Sequence, residues 1–209
     1  RVGPGRQQPL GDDGIAIGCC AFALYGMESA FEPIIRPPIW SKPLSPYLGP
    51  DPGVRDMKAA IEKAAPWLEI DVVRDNDQRL QMMAEQIATG AVVAWYHSRS
   101  EMGPRALGHR SILADPRKKG LVRFINELVK SRESFRPFAP SVLAEESWKW
   151  FDLGEQSKIV NGNVSPYMSI TAQVHQDKRA KIPAVTHVDG SSRLQTVTKE
   201  AEPLYYKLI

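Results

Sequence analysis

Two segments of this 209-residue chain carry the residue types that hold anions with several oxygens: residues 100–113, SEMGPRALGHRSIL, and residues 129–140, VKSRESFRPFAP. In them Arg105, Arg110, Arg132 and Arg136 stand in turn-forming sequence rich in glycine and proline, not on a regular helix face. A guanidinium grips phosphate or carboxylate with two parallel donors, and glycine lets backbone N–H groups approach the same oxygens. Gly103 precedes Arg105 by two residues and Gly108 precedes Arg110 by two, so one turn device is used twice. The second segment sets Lys130, Arg132 and Arg136 within seven residues. Clustered cations repel, and a fold keeps them together only where acids or a bound anion offset the repulsion. Pairing with Glu101 and Asp115 is the purely structural alternative. Between residues 99 and 136, however, ten Lys/Arg face four acids, more positive charge than those acids neutralise.

Two further constellations stand outside this region. GDDGIAIG, residues 11–18, reads by itself as an Asx-turn leading into a helix. HVDGSSRLQT, residues 187–196, reads as a hairpin turn that brings Arg193 to the anion pocket from a third direction. His187 titrates in the range useful for proton transfer, although a lone histidine on a strand is ordinarily a hydrogen-bonded structural residue. Cys19 and Cys20 are adjacent in an apolar segment, which suits neither a structural disulfide nor a zinc pattern. They read as buried core residues of a protein in a reducing compartment, the cytoplasm or an organelle.

The elements that position these residues alternate between helix and strand. Residues 15–27 form an apolar run suited to a buried helix, and seven prolines in residues 32–52 suggest an extended linker. A short helix capped by Asp51 and Pro52 runs to about Ala64, and residues 68–73 alternate like a strand. Asn76 caps a helix over residues 77–89 that Gly90 closes. Strands are predicted at 91–96, 111–114, 167–174, 184–188 and 193–197, the last two joined through DGSS as a hairpin. Residues 116–131 read as an amphipathic helix, 137–143 as extended chain, 145–151 as a short helix and 154–163 as a loop. The result is a mixed-sheet α/β fold.

With SPYM at 165–168 and AVTHVDGSSRLQTV at 184–197, the two arginine segments occur in an order that resembles the C-terminal part of the O-carbamoyltransferases of antibiotic biosynthesis and nodulation factors. The resemblance runs from about Asp12 to Ile209. It implies the tail of an ASKHA-type domain over residues 1–32, a Pro-rich linker and short helix over 33–66, and a YrdC-like domain over 67–209, incomplete at its end. It implies that carbamoyl phosphate and ATP are converted into carbamoyl adenylate for transfer to a substrate hydroxyl. Arg105, Lys130, Arg136 and Arg193 would contact the phosphate, Arg110 and Arg132 would assist, and Gly14 and Gly18 would lie against nucleotide phosphates. Asp12 would ligate a divalent metal, Mg or Fe, together with an upstream HxxxH pair that is absent here. The chain departs from the family at Ser98, Met102 and His109, where glycine, phenylalanine and asparagine are usual. The remainder of its own polypeptide, or a complementary subunit, would complete such an enzyme.

Two other classes compete. A chain that keeps the fold as a non-catalytic structural subunit would show the same motifs. The cluster Arg117, Lys118, Lys119 and Arg123 raises RNA binding, but a net charge of only +3 argues for a solvated basic helix face instead. No apolar run approaches the length needed to span a bilayer.

Overall fold

The computed structural model describes residues 45–155 and 162–209, together with Ile15, Cys19 and Cys20. Helix α1, Val54–Ala64, has Gly53 at its N-cap, so it begins just beyond Asp51 and Pro52. Helix α2, Asn76–Thr89, is capped by Asp75, whose side chain accepts from the Gln78 N–H; Asn76 is already inside the helix. Gly90 closes it at φ 111°, where a side chain would strain the backbone.

Strands β1, Val93–Tyr96, and β2, Arg110–Leu113, pair antiparallel, and the loop between them carries Arg105. Helix α3, Gly120–Phe124, runs directly into a π-helical turn, Ile125–Val129. A continuous helix over 116–131 does not form. Asp115 captures the backbone N–H of Arg117 and Lys118 in a turn that delays the helix start. At the other end Lys130 N–H reaches back five residues to Ile125, and Ser131 adopts φ 47°.

The second sheet has strand order β3-β6-β5-β4, with β3 at Ser141–Leu143, β4 at Phe151–Asp152, β5 at Ile170–Val174 and β6 at Ser191–Val197. A 3-10 turn, Ala144–Lys149, links β3 to β4. Strand β6 pairs parallel with β3 and antiparallel with β5, so both of its ladders are taken. That excludes the hairpin expected for residues 184–188, which fold into turns and keep one remnant, the His187 N–H donating to the Ser191 carbonyl. Residues 68–73 form no strand either. Alternation yields a strand only where a sheet edge accepts its hydrogen bonds, and Leu68 and Val72 stay exposed.

Strand β6 is the structural centre. Leu194, 0% exposed, joins Phe151, Val174 and Val185 in one core, whereas Val197 joins Leu80, Trp95 and Tyr205 in another. The second core contains helix α4, Pro203–Leu208, which packs on α2. Fully burying side chains of this size contributes about 1.5–3 kcal/mol each, so β6 is held from both faces. Cys19 and Cys20 are helical but exposed, not buried: apolar residues become core only where another element covers them, and no described element does. Among the described residues, no helix is long and apolar enough to cross a membrane.

Candidate functional site

The Arg105 loop is built around a carboxylate. Glu101 Oε1 accepts from three backbone N–H groups, those of Leu107 at 2.7 Å, His109 at 2.9 Å and Arg110 at 3.2 Å. Burial alone would raise the Glu101 pKa, but these donors outweigh it and hold the carboxyl below the usual range. The carbonyls on the other side are also engaged. Trp95 Nε1 donates to Gly108 O at 2.6 Å, and Tyr47 Oη donates to Leu107 O at 3.1 Å. Gly108, at φ 106°, lies against the Tyr205 ring, which a Cβ would meet at 2.6 Å. The loop is thereby fixed from the backbone inward, while Arg105 at its tip is exposed.

Arg193 comes from β6 on the face shared with Gln195 and Val197, since alternate strand residues point the same way. Its Nε is the one buried side-chain polar atom among the described residues without a hydrogen-bond partner. Burial, then the charge of Arg105, presses its pKa below the usual arginine range.

The 130–136 segment turns around Asn126, a residue 0% exposed. Its amide donates to the carbonyls of Ser134 at 3.1 Å and Arg136 at 2.9 Å, and its oxygen accepts from Arg132 Nε at 2.7 Å. Arg132 also lies over the Phe138 ring, and burial followed by the charge of Arg136 lowers its pKa. Arg136 makes an exposed ion pair with Glu133 at 2.8 Å, the kind worth about 0–1 kcal/mol and readily exchanged for another anion. Lys130 is exposed at the end of the π-helical turn. Among the described residues, no carboxylate pairs with Arg105, Lys130 or Arg193.

Other expected site residues lie elsewhere. Arg110 is spent on the fold: its guanidinium donates to the carbonyls of His97, Ser98 and His109 and stacks on Tyr96 at 3.5 Å. Asp12, Gly14 and Gly18 fall outside the described residues. Among the described residues, no group of three or more His, Cys, Asp and Glu could hold a metal. His187 Nδ1 lies 3.3 Å from Ser191 Oγ, which donates to Asp189 at 2.7 Å; this knot tightens the turn entering β6. The basic run is engaged locally: Arg117 with Asp115, Arg123 with Glu127, and Lys118 with the Thr89 carbonyl that ends α2.

Sequence reasoning missed Glu101 as a loop organiser, and it missed Asn126 and Gln195 altogether. Only the E-x5-L-x-H-R spacing of a carboxylate before a glycine loop hinted at the first. Nothing in residue type marks the other two, because Gln195 meets Leu107 and Ser141 far along the chain and Asn126 meets a segment that folds back on it.

The profile of the carbamoyltransferase C-terminus family matches residues 84–209, and the chain belongs to that family. It is 42% identical over 163 residues to nodulation protein NolO of Bradyrhizobium diazoefficiens, covering 78% of this chain and 28% of that protein. It is 38% identical over 127 residues to the 3'-hydroxymethylcephem-O-carbamoyltransferase of Streptomyces clavuligerus, covering 61% of this chain and 22% of that protein. Nodulation protein U of Rhizobium tropici is 39% identical over 127 residues, with 61% of this chain and 20% of that protein covered. The chain thus spans about a fifth to a third of the length of the curated relatives it matches.

Proposed function

We propose that this chain supplies the carbamoyl phosphate site of an ATP-dependent O-carbamoyltransferase whose remaining machinery lies in further polypeptide. The observation that carries the reading is the buried, unpartnered Nε of Arg193, whose pKa the charge of Arg105 helps to lower, with no carboxylate paired to either arginine among the described residues. Such a pair is a standing electrostatic cost that a doubly charged phosphate ester or anhydride relieves.

Arg105 and Arg193 hold the phosphate oxygens in fixed orientation, and Arg136 exchanges Glu133 for the same anion. Lys130 adds a mobile point charge. Their work is to neutralise charge so that two polyanions, carbamoyl phosphate and ATP, meet in one orientation. Water cleaves carbamoyl phosphate to carbamate and phosphate, and a carbamate oxygen attacks the α-phosphorus of ATP with pyrophosphate leaving. The carbamoyl adenylate then passes its carbamoyl group to an acceptor hydroxyl with release of AMP and a proton.

The test is carbamoyl-phosphate-dependent ATP–pyrophosphate exchange in the full-length polypeptide. Arg105→Ala and Arg136→Ala are each expected to abolish it. Unchanged exchange in both overturns the site assignment.

A further inference from the structure

Gln195 stands where three segments cross. It is 2% exposed, and both ends of its amide are used. Nε2 donates to the Leu107 carbonyl at 2.8 Å, and Oε1 accepts from Ser141 Oγ at 2.9 Å. Ser141 Oγ in turn accepts from Tyr205 Oη at 2.7 Å, and the Gln195 backbone N–H donates to Pro140 O at 2.8 Å. One side chain therefore ties the Arg105 loop to β6, β3 and α4.

Its position relative to the cations is specific. Gln195 is two residues from Arg193 on the same face of β6, and its partner Leu107 is two residues from Arg105. The tie thus lies two residues from each cation, and the like charge of Arg105 bears on Arg193. Glu101, Trp95 and Tyr47 hold the loop's own shape and its seat on β1, whereas Gln195 fixes it against β6, so losing that tie shifts the loop as a body and carries Arg105 with it. Tyr47 also holds the Leu107 carbonyl, but it comes from outside the sheet and does not link the loop to β6.

We infer that Gln195 is the positioning residue that sets the separation of Arg105 from Arg193, and with it the affinity of the pair for a phosphate. This rests on the anion-site reading above.

The test is a double-mutant cycle in the full-length polypeptide. Carbamoyl phosphate and inorganic phosphate serve as probes, with binding followed by calorimetry. Gln195→Met keeps the volume and removes both hydrogen bonds. Acting through Arg105, it weakens binding about tenfold in the wild-type background and less than about twofold when Arg105→Ala is already present, since effects on one shared interaction do not add. A merely structural residue would cost the same in both backgrounds. Where Gln195→Met does not reproduce the wild-type near-UV circular dichroism, Gln195→Leu carries the cycle, because it also removes the donor to Leu107 without placing a new charge beside Arg193. Weakening by Arg105→Ala with no effect of the Gln195 change, or an equal effect in both backgrounds, overturns the positioning role alone. Unchanged binding in Arg105→Ala overturns the anion site and the inference with it.

Discussion

His109 and Glu202, 93 positions apart, meet at 2.8 Å between imidazole Nε2 and carboxylate Oε2, and this contact joins the arginine loop to the segment entering α4. The other ring nitrogen lies 2.6 Å from the Arg99 carbonyl, so both nitrogens face acceptors. Only the doubly protonated ring donates to both. The ring stacks on Tyr47 at 3.7 Å and meets His97 edge-on at 5.1 Å.

A pH dependence of stability follows. Burial alone would lower the His109 pKa, but the Glu202 hydrogen bond and the Arg99 carbonyl outweigh it and raise it above the usual histidine value. A raised folded-state pKa gives stability that is fully present below the unfolded value of about 6.5 and is lost as pH rises through the folded one. His97 works the other way: burial, then the His109 charge, lowers its pKa and costs stability at acid pH. Thermal melts of His97→Asn isolate the His109 contribution and are expected to show the melting temperature falling from mildly acid to mildly alkaline pH. His97→Asn/His109→Asn should lose that fall. An equal fall in both would assign it elsewhere.

Glu101 binds three backbone N–H groups of the arginine loop, and truncating it leaves those donors unpaired. Hydrogen bonds to a charged acceptor contribute about 1.5–3 kcal/mol each, with partial recovery by water. Glu101→Ala is expected to cost about 2–4 kcal/mol in urea denaturation. Its lowered pKa means that this stability is present above the ordinary carboxylate range and lost as pH falls through the folded value.

Asn126 is the corresponding hub of the second segment. Asn126→Ala frees the Ser134 and Arg136 carbonyls and releases Arg132 Nε. The expected cost is about 2–4 kcal/mol, as for loss of a buried hydrogen-bond network. Phosphate affinity should also weaken, because Arg136 loses its backbone anchor. Wild-type affinity in a folded Asn126→Ala protein would show that Arg136 does not take part in binding.

Arg110 and Arg105 separate structure from binding within one loop. Arg110→Met removes donors to three carbonyls and the stacking on Tyr96. It is expected to lower stability by about 1–3 kcal/mol while leaving phosphate affinity of the folded fraction within about twofold. Arg105→Met should do the reverse, losing about tenfold or more in affinity with stability changed by less than about 0.5 kcal/mol, as at an exposed site. Paired melts and calorimetry on both variants give the comparison.

Local chemistry made much of this readable in advance. The closing glycine of α2, strands β1 and β2, and the turns at Gly103 and Gly108 rest on propensity, alternation and backbone freedom, all short-range properties. Residue type and spacing likewise pointed to a cation cluster at Arg105, Arg110, Arg132 and Arg136, because clustered cations need an offset wherever the fold places them. Pairing and burial were settled only by tertiary structure. Residues 184–188 alternate as a strand should, yet β6 had no free edge for them once β3 and β5 were in place. Arg110 and Arg105 look alike in sequence, but carbonyls folded back on one of them consume it and leave the other free. Gln195 carries no local signal, since its worth lies in meeting Leu107 and Ser141 far back along the chain, and Asn126 gains its own only when the segment after the π-helical turn folds back on it; hydrogen-bond geometry of that kind exists only after the chain has folded.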